Sequence, residues 1–328
     1  MIHDDVLSLV GNTPVVRLNS LAPDGIHMYV KIESRNPGGS VKDRIAVGMI
    51  QDLEQRAMIK KGDTIIESTA GNTGIALAMV AASKGYNFIA VLSETASAER
   101  IKSLRFFGAR VLLTSKKMAA STRNKMVETL AARNGWFVCG QHINPANPAT
   151  HARTTALEIL RDFEDRRLDY WVSGWGTGGT LTGVGMTLRR ERPDVKVVAS
   201  EPVEAQLLGK GEWQPHMIPG WAPDFVPVIL DRRAFDVVVP VSVQEGYRAA
   251  QMLARREGIM SGTSGGATLA AALKVADIAP KGSTILVMLP DSSERYMSTA
   301  LFEGISLGSD DDVEGYFEWL KDFPEYRL

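Results

Sequence analysis

The chain has 328 residues, of which 45% are hydrophobic and 23% are charged, a composition typical of a globular protein with room for two domains of roughly 150 residues each. Its formal net charge is −1 and it has no basic stripe, so we expect no nucleic-acid partner. No apolar run reaches the roughly 18 residues of a membrane helix, and the acidic start, Met1–Asp5, lacks the features of a signal peptide.

The single cysteine, Cys139, excludes an intramolecular disulfide framework and favours a cytoplasmic location. It lies in the apolar run Trp136–Cys139, which we interpret as a buried strand. We therefore expect Cys139 to pack rather than to act as a nucleophile, because free cysteines are usually buried. The five histidines show no metal-ligand spacing, so we expect no catalytic zinc site.

From residue 63 onwards, short apolar runs alternate with stretches long enough to form helices. We predict strands at Thr64–Glu67, Asn87–Leu92, Arg110–Thr114 and Trp136–Cys139, and helices at Asn72–Ser83, Ala98–Phe107 and Lys117–Ala132. This alternation indicates right-handed βαβ crossovers, and hence a parallel sheet covered by helices on both faces.

A second alternating series follows the proline-bearing segment Asn144–Pro148. Its predicted strands are Tyr170–Ser173, Val195–Glu201 and Ser283–Leu289. Three helices are predicted: one that starts at Gly178, one over Val243–Arg256 and one that starts at Gly265. Residues 202–235 break the pattern, and loops of that length are usually functional or form lids. We predict an α/β protein with two domains, residues 1–145 and 146–328, and a cleft between them.

The first of three glycine-rich segments, Asn36–Arg44, lies between a predicted strand, Met28–Glu33, and a helix. Lys42 then falls in the first helical turn, where the helix macrodipole disfavours a cation. This position favours a neutral or covalently engaged amine. The alternative is an ordinary helix start with a surface lysine.

The second glycine-rich segment, Thr69–Gly74, joins a strand to a strongly apolar helix. Its backbone amides, together with hydroxyl and amide side chains, are suited to holding a carboxylate at the helix start. The alternative is a capped turn in which Asn72 is the helix cap.

The third segment, Gly174–Thr180, also joins a strand to a helix, and its glycines and threonine hydroxyls are suited to holding a phosphate. Its spaced glycines also satisfy the G-x-G-x-x-G pattern of dinucleotide sites, with Glu201 about 20 residues further on. By local pattern alone, a nicotinamide dinucleotide is the stronger interpretation. That interpretation leaves the other two segments unexplained, and the motif does not open an N-terminal βαβ unit.

Six segments of the chain recur in the same order in a known family. They are Gly11–Pro14, Asn36–Arg44, Thr69–Gly74, Asn144–Pro148, Gly176–Thr180 and Glu294–Tyr296. The set resembles fold-type II pyridoxal-phosphate enzymes, in particular cysteine synthase (O-acetylserine sulfhydrylase) and the catalytic core of cystathionine β-synthase. The resemblance runs from Gly11 to about Phe302. It implies pyridoxal 5'-phosphate as the cofactor and a two-domain α/β fold of the tryptophan synthase β-like type.

The resemblance implies a role for each matching position. Lys42 is the expected covalent anchor of the cofactor and the general base, Asn72 is expected to bond the cofactor's ring hydroxyl, and Ser264 to face its pyridine nitrogen. The residues expected to hold the phosphate are Gly176, Thr177, Gly178, Gly179 and Thr180. Those expected to bind the substrate carboxylate are Thr69, Ala70, Gly71, Thr73 and Gln141. The first domain would thus carry the lysine and the carboxylate loop, and the second the phosphate loop and Ser264.

The implied reaction is β-replacement on an O-activated L-serine, with O-acetyl-L-serine and sulfide giving L-cysteine as the main expectation. Alternatives are cystathionine formation and S-sulfocysteine formation. An inactive cofactor-binding regulator is less favoured, because Lys42, Asn72 and Ser264 are intact. The resemblance also implies a homodimer, and a serine acetyltransferase is a further candidate partner.

The chain departs from the family pattern around the expected substrate pocket. Ala70 stands where most members carry serine, Ala96 where they carry methionine, and Pro219–Phe225 replaces a glycine-rich segment. We expect the missing hydroxyl to weaken one hydrogen bond by about 1 kcal/mol. The missing methionine is expected to admit a nucleophile larger than sulfide, such as thiosulfate, to the extent that Trp221 and Pro223 do not fill the space.

Overall fold

The computed structural model describes residues 2–69 and 71–307. The strands in this part of the chain are β1 (Val15–Leu18), β2 (His27–Ile32), β3 (Thr64–Ser68), β4 (Asn87–Ser93), β5 (Arg110–Thr114), β6 (Tyr170–Gly174), β7 (Lys196–Pro202), β8 (Val237–Val241) and β9 (Thr284–Leu289). The α-helices are α1 (Lys42–Gln55), α2 (Asn72–Lys84), α3 (Ala98–Phe106), α4 (Ala120–Asn134), α5 (Ala146–Arg153), α6 (Thr155–Asp162), α7 (Gly179–Glu191), α8 (Val243–Glu257) and α9 (Thr263–Ala276).

These strands form two sheets. The larger sheet has the order β1-β2-β9-β6-β7-β8, and the smaller has the order β3-β4-β5. Every neighbouring pair is parallel except β1 with β2. A chain returns to a parallel neighbour only through a crossover, which α2 supplies between β3 and β4 and α7 between β6 and β7. The predicted α/β class with parallel sheets covered by helices is confirmed.

The two sheets are built from apolar runs because helices cover them on both faces. All six residues of β9 are buried, as expected for an inner strand of such a sheet. Helix α2 is buried from residue 73 to residue 81, which explains its almost wholly apolar sequence. Among the described residues, no helix is both long enough and apolar enough to cross a membrane.

The carboxyl ends of the parallel strands position the three glycine-rich segments. In the larger sheet, β2 leads towards Lys42, β6 leads into the Gly174–Thr180 loop, and β9 leads to Asp291. In the smaller sheet, β3 leads into the Thr69–Gly74 loop. Ligands of open parallel sheets bind at this edge.

Two segments that the sequence analysis singled out differ from their prediction. Trp136–Cys139 forms no strand; its one sheet contact is a bridge between Phe137 and Ile65, although Cys139 is buried as predicted. The proline-bearing segment Asn144–Pro148 leads into α5, since proline is tolerated before and within the first turn of a helix.

The predicted division into domains at residue 145 stays a prediction. The sheets divide the chain differently, because β1 and β2 precede residue 145 but pair within the larger sheet. The larger sheet is therefore composed of strands from both ends of the described chain.

A buried ion cluster holds α1 in place. Arg44 forms ion pairs of 2.7 Å with both Glu33 and Glu158, and Lys31 lies 2.9 Å from Glu158. The side chain of Arg44 is only 1% exposed. These contacts connect β2, α1 and α6, and thereby fix the helix whose first residue is Lys42.

We expect Glu158→Gln to make the protein less stable at neutral pH, by an amount that shrinks in acid. Burial alone would raise the pKa of Glu158, but the hydrogen bonds and charge of Arg44, assisted by Lys31, lower it to about 2. A carboxylate with a depressed pKa stabilises the fold above its ordinary pKa of 4.5 and loses that contribution as the pH falls towards 2. The expected contribution is on the order of 2 kcal/mol.

The measurement is urea unfolding of both proteins between pH 7 and pH 3. The difference in free energy of unfolding is expected to narrow as the pH falls below about 4.5. A difference that stays constant across this range would contradict the ionised cluster.

Candidate active site

A cavity of about 250 Å³ lies where five helices begin. It is lined by Lys42 from the start of α1, by Asn72 from α2, by Ala120 from α4, by Thr180 from α7 and by Ser264 from α9. The positive ends of five helix dipoles therefore meet at one place, which is a favourable environment for anions.

The side chains of the cavity wall add to this positive potential. Among the described residues that line the cavity, the charged ones are Lys42, Arg100 and Arg123, and none is Asp or Glu. Helices α2, α7 and α9 also have no acidic residue in the first turn. The cavity is thus suited to a ligand with more than one negative group.

Lys42 is the first residue of α1, as the sequence predicted, and it lies in the cavity wall rather than on the surface. Burial lowers the pKa of its amine, while the charges of Asp291 and Glu33 raise it and only partly offset that effect. The helix dipole acts in the same direction as burial, since it disfavours a cation at this position. Lys42 is therefore an amine that loses its proton more readily than an ordinary lysine.

The Gly174–Thr180 loop requires glycine because other backbone and side-chain atoms approach it closely. A Cβ at Gly176 would collide with the carbonyl oxygen of Gly220, and one at Gly174 with the ring of Trp221. Gly178 caps α7 with a φ of +81°, in the left-handed region that favours glycine. These close approaches bring the loop and the 219–223 segment together at the cavity, and Pro223 also lines it.

Side chains of α5 hold the two threonines of this loop. Asn147 donates from Nδ2 to Oγ1 of Thr177 at 3.1 Å, and the Thr177 hydroxyl oxygen accepts the Gly179 backbone amide at 3.3 Å. Oγ1 of Thr180 shares a hydrogen bond of 3.1 Å with Nε2 of His151. Gly176, Thr177, Gly178 and Thr180 line the cavity, whereas Gly179 packs against Asn147.

Asn72 is oriented by two side chains that follow β9 in sequence. Its Nδ2 donates to Asp291 at 2.7 Å, and its Oδ1 accepts from Arg295 at 2.7 Å. Gly71, not Asn72, is the N-cap of α2, so the interpretation of Asn72 as a helix cap is wrong. Its amide is instead committed to tertiary contacts that fix it in the cavity wall.

The loop after β3 holds the expected carboxylate-binding residues close together. Thr73 donates from Oγ1 to Oε1 of Gln141 at 2.7 Å, and Gln141 donates from Nε2 to the carbonyl of Ser68 at 2.9 Å. Thr69 accepts the Gly74 backbone amide at 3.0 Å. Thr69, Gly71, Thr73 and Gln141 all line the cavity, and Ala70 lies outside the described residues.

Ser264 lies in the first turn of α9 and lines the cavity. Its hydroxyl makes no hydrogen bond within residues 2–69 and 71–307, which leaves it available to a ligand. Asp291 lies nearby: a Cβ at Gly262, the N-cap of α9, would collide with its Oδ1. Oδ1 of Asp291 has no hydrogen-bond partner in the described structure, while Oδ2 accepts from Asn72 and Tyr296.

Several cavity residues were not predicted from the sequence. They are Arg100, Arg123, Asn124, His142, Trp175 and Tyr296. Tyr296 belongs to a segment that the sequence analysis singled out, and the guanidinium of Arg100 lies 4.8 Å from the centre of its ring. Trp175 lies within the third glycine-rich segment, whereas the remaining four come from helices or loops without a distinctive pattern, so only the tertiary fold identifies them.

Two expectations about side chains near the pocket are wrong. Ala96 packs against the apolar core around α1 and α2 and is not among the described residues that line the cavity, where its place in the family pattern put it. Glu201 is buried and accepts the backbone amides of Leu208 and Gly209 at 3.0 and 2.9 Å. It is therefore committed to the fold of its own loop and not free to bind a ribose.

A second cavity, of about 420 Å³, lies beside the first. Ser68, Asn124 and His142 line both cavities. The ring of His142 packs edge-on against Phe225, with 5.1 Å between ring centres. Burial, followed by the charge of Lys42, lowers the pKa of His142 to about 4, so this ring is neutral at physiological pH.

Comparisons with known proteins agree with this geometry. Residues 6–291 match the sequence profile of the family described as pyridoxal-phosphate dependent enzymes. The chain is 50% identical over 310 residues to O-ureido-L-serine synthase of Streptomyces lavendulae, covering 94% of this chain and 96% of that protein. It is 42% identical over 300 residues to cysteine synthase of Staphylococcus aureus, covering 91% and 97%. A crystal structure of O-ureido-L-serine synthase superimposes with a TM-score of 0.94 at 49% identity, covering 96% of this chain and 100% of that one.

Proposed function

The chain belongs to the family of pyridoxal-phosphate-dependent enzymes, and from this premise we propose that it replaces the β-substituent of an O-activated L-serine with sulfide to form L-cysteine. One observation carries the proposal. Lys42, an amine with a lowered pKa, lies in the same cavity as the glycine-rich start of α7 and a Thr/Gln cluster, which consists of Thr69, Thr73 and Gln141. No Asp or Glu is among the described residues that line this cavity. This arrangement provides a base, a phosphate site and a carboxylate site together.

The residues present fit the cofactor. The start of α7 offers backbone amides and two threonine hydroxyls to the phosphate, and the free hydroxyl of Ser264 suits a neutral ring nitrogen. Lys42 would hold the aldehyde carbon covalently, and Asn72 would bond the ring hydroxyl. When bound, pyridoxal phosphate supplies an electron sink for negative charge that develops at the substrate α-carbon.

Lys42 is the group that moves the proton in this proposal. Its neutral amine accepts the α-proton of the amino acid, and the bond between the β-carbon and oxygen then breaks to release acetate. Sulfide forms the new bond to the β-carbon, and Lys42 returns a proton to the α-carbon. The lowered pKa supports this role, because a base must be unprotonated at the working pH.

The Thr/Gln cluster orients the substrate in this proposal. Thr69, Thr73 and Gln141 are buried at the start of α2, where a carboxylate gains both hydrogen bonds and the helix dipole. Glu67 accepts the backbone amides of Gly140 and Gln141 at 2.9 and 3.0 Å and thereby fixes Gln141. Burial raises the pKa of Glu67 to about 7, although those backbone amides act in the opposite direction.

The choice of nucleophile rests on the relatives. The cysteine synthase of Staphylococcus aureus supports sulfide, and the 50% identical O-ureido-L-serine synthase supports a second candidate, in which the hydroxyl oxygen of hydroxyurea displaces the leaving group. Both reactions use the same base and the same carboxylate site. Cystathionine and S-sulfocysteine formation remain alternatives of the same class.

The deciding experiment is a substrate panel with the holoenzyme. O-acetylserine, O-phosphoserine and serine are each paired with sulfide, hydroxyurea, thiosulfate and homocysteine, and the products are quantified by mass spectrometry. We expect O-acetylserine and sulfide to give L-cysteine with the highest kcat/KM. A higher kcat/KM for hydroxyurea would select the second candidate, and no product from any pair would indicate an inactive cofactor-binding protein.

We also propose a homodimer in which each cavity is built within one chain, as the resemblance implies. All groups assigned above come from one chain, which supports the second part of this proposal. Light scattering at micromolar concentration is expected to give twice the monomer mass, and a monomer would remove the proposal. Binding of a serine acetyltransferase and a cytoplasmic location stay predictions.

A further inference from the structure

Arg123 is a buried cation whose charge no assigned ligand uses. It lies in the first turns of α4, its exposure is 7%, and it is among the residues that line the cavity. The proposed phosphate and carboxylate sites are at the starts of α7 and α2, on other elements. Arg123 is therefore left over after the cofactor and the amino acid have been placed.

The guanidinium of Arg123 is fixed in position. Its Nε donates to Oγ1 of Thr114 at 2.9 Å, and its Nη2 donates to the carbonyl of Met118 at 2.9 Å. Its Nη1 has no hydrogen-bond partner within the described ranges. The group is thus held on one side and has unused N–H donors, which is how a preorganised binding group is built.

The carboxylate whose charge acts on Arg123, that of Asp224, is committed elsewhere. The carboxylate of Asp224 accepts from the backbone amide of Ser121 at 3.2 Å and from its hydroxyl at 2.6 Å. Asp224 raises the pKa of Arg123 through its charge, against the lowering by burial, but it forms no ion pair with it in the described structure. A buried cation without an ion-pair partner is costly unless a ligand compensates it.

The surroundings of Arg123 leave space for a ligand larger than sulfide. Asn124 and His142 line the same cavity and also the second cavity beside it. Both are uncharged hydrogen-bonding groups at physiological pH, since His142 is neutral there. The wall formed by these side chains therefore combines one cation with polar neighbours and room to extend.

We propose that Arg123 forms a subsite for the second substrate at which nucleophiles with an anionic oxygen group, such as a carboxylate or a sulfonate-type oxyanion, bind in addition to sulfide. This inference rests on the proposed β-replacement. It assigns to Arg123 the role of binding the nucleophile, because the geometry leaves its Nη1 donors unused while the base and the amino-acid site lie on other elements.

The test uses two thiols of similar size that differ in charge. Mercaptoacetate carries a carboxylate and 2-mercaptoethanol a neutral hydroxyl, and each is supplied to the holoenzyme with O-acetylserine, beside sulfide. In Arg123→Gln we expect kcat/KM for mercaptoacetate to fall about tenfold or more relative to the values for 2-mercaptoethanol and sulfide, as for loss of a charge-assisted hydrogen bond. Arg133→Gln, which removes the same charge from an exposed position on α4, is the control and is expected to change none of them.

A second measurement requires no variant. Sulfate is expected to inhibit the wild-type reaction competitively against sulfide and not against O-acetylserine. Equal changes for both thiols in Arg123→Gln, or sulfate competition with O-acetylserine, would overturn the subsite. If the wild type forms no product with any nucleophile, the proposed function fails, but the subsite can still be tested by calorimetry. Binding of sulfate to the wild-type holoenzyme that is lost in Arg123→Gln would support the subsite. Absence of sulfate binding to the wild type would overturn the subsite.

Discussion

Lys42→Ala is expected to abolish β-replacement, with kcat reduced by at least about 10³-fold, within the range for loss of a general base. The variant removes both the covalent anchor of the cofactor and the amine that accepts the α-proton in the proposed reaction. No neighbouring amine replaces it, because Lys42 is the only lysine among the described residues that line the cavity. The other cations there, Arg100 and Arg123, are guanidiniums, which do not deprotonate in proteins.

The readouts are the visible absorbance of the bound cofactor and the rate of product formation. Both are expected to be lost in Lys42→Ala, while the far-ultraviolet circular dichroism stays unchanged. Lys84→Ala is the control, since Lys84 ends α2 and pairs with Glu54 at 2.9 Å outside the cavity. If purified Lys42→Ala keeps the wild-type visible band without added amine, the anchor is another lysine.

The sequence was sufficient to predict residues whose roles depend on local backbone structure. The glycine-rich segments are recognisable because each follows a strand and precedes a helix, and parallel strands bring such junctions to one edge of a sheet. Lys42 could be singled out by its place in the first helical turn. The strands and helices that carry these segments were also predictable, since apolar runs of their length alternate regularly.

Residues whose roles depend on tertiary contacts were not predictable. Asn72 looked like a helix cap because asparagine is common there, but its partners Asp291 and Arg295 are more than 200 residues away in sequence. Ala96 was expected in the pocket by its place in the family pattern, yet it lies between β4 and α3 and packs against the core. Trp136–Cys139 has the composition of a strand, but only Phe137 pairs with a neighbour.

The same limitation applies to the buried ion cluster, whose members come from distant segments. Arg44→Leu is expected to lower the free energy of unfolding by about 3–5 kcal/mol, because it leaves Glu33 as a buried carboxylate without its main partner. Burial alone would raise the pKa of Glu33, but the charge and hydrogen bonds of Arg44 have the largest opposing effect, and the net result is a lowered pKa. Without Arg44, we expect Glu33 to take up a proton.

The measurement is urea unfolding of the holoenzyme at pH 7, with Arg56→Leu as the matched control. Arg56 follows α1 and pairs with Asp52 at 3.2 Å, but its side chain is 57% exposed, so its loss is expected to cost less than about 1 kcal/mol. The double variant Arg44→Leu with Glu33→Leu removes the unpaired charge and is expected to recover part of the stability. Equal losses for Arg44→Leu and Arg56→Leu would show that the buried cluster does not hold α1, and with it Lys42, in place.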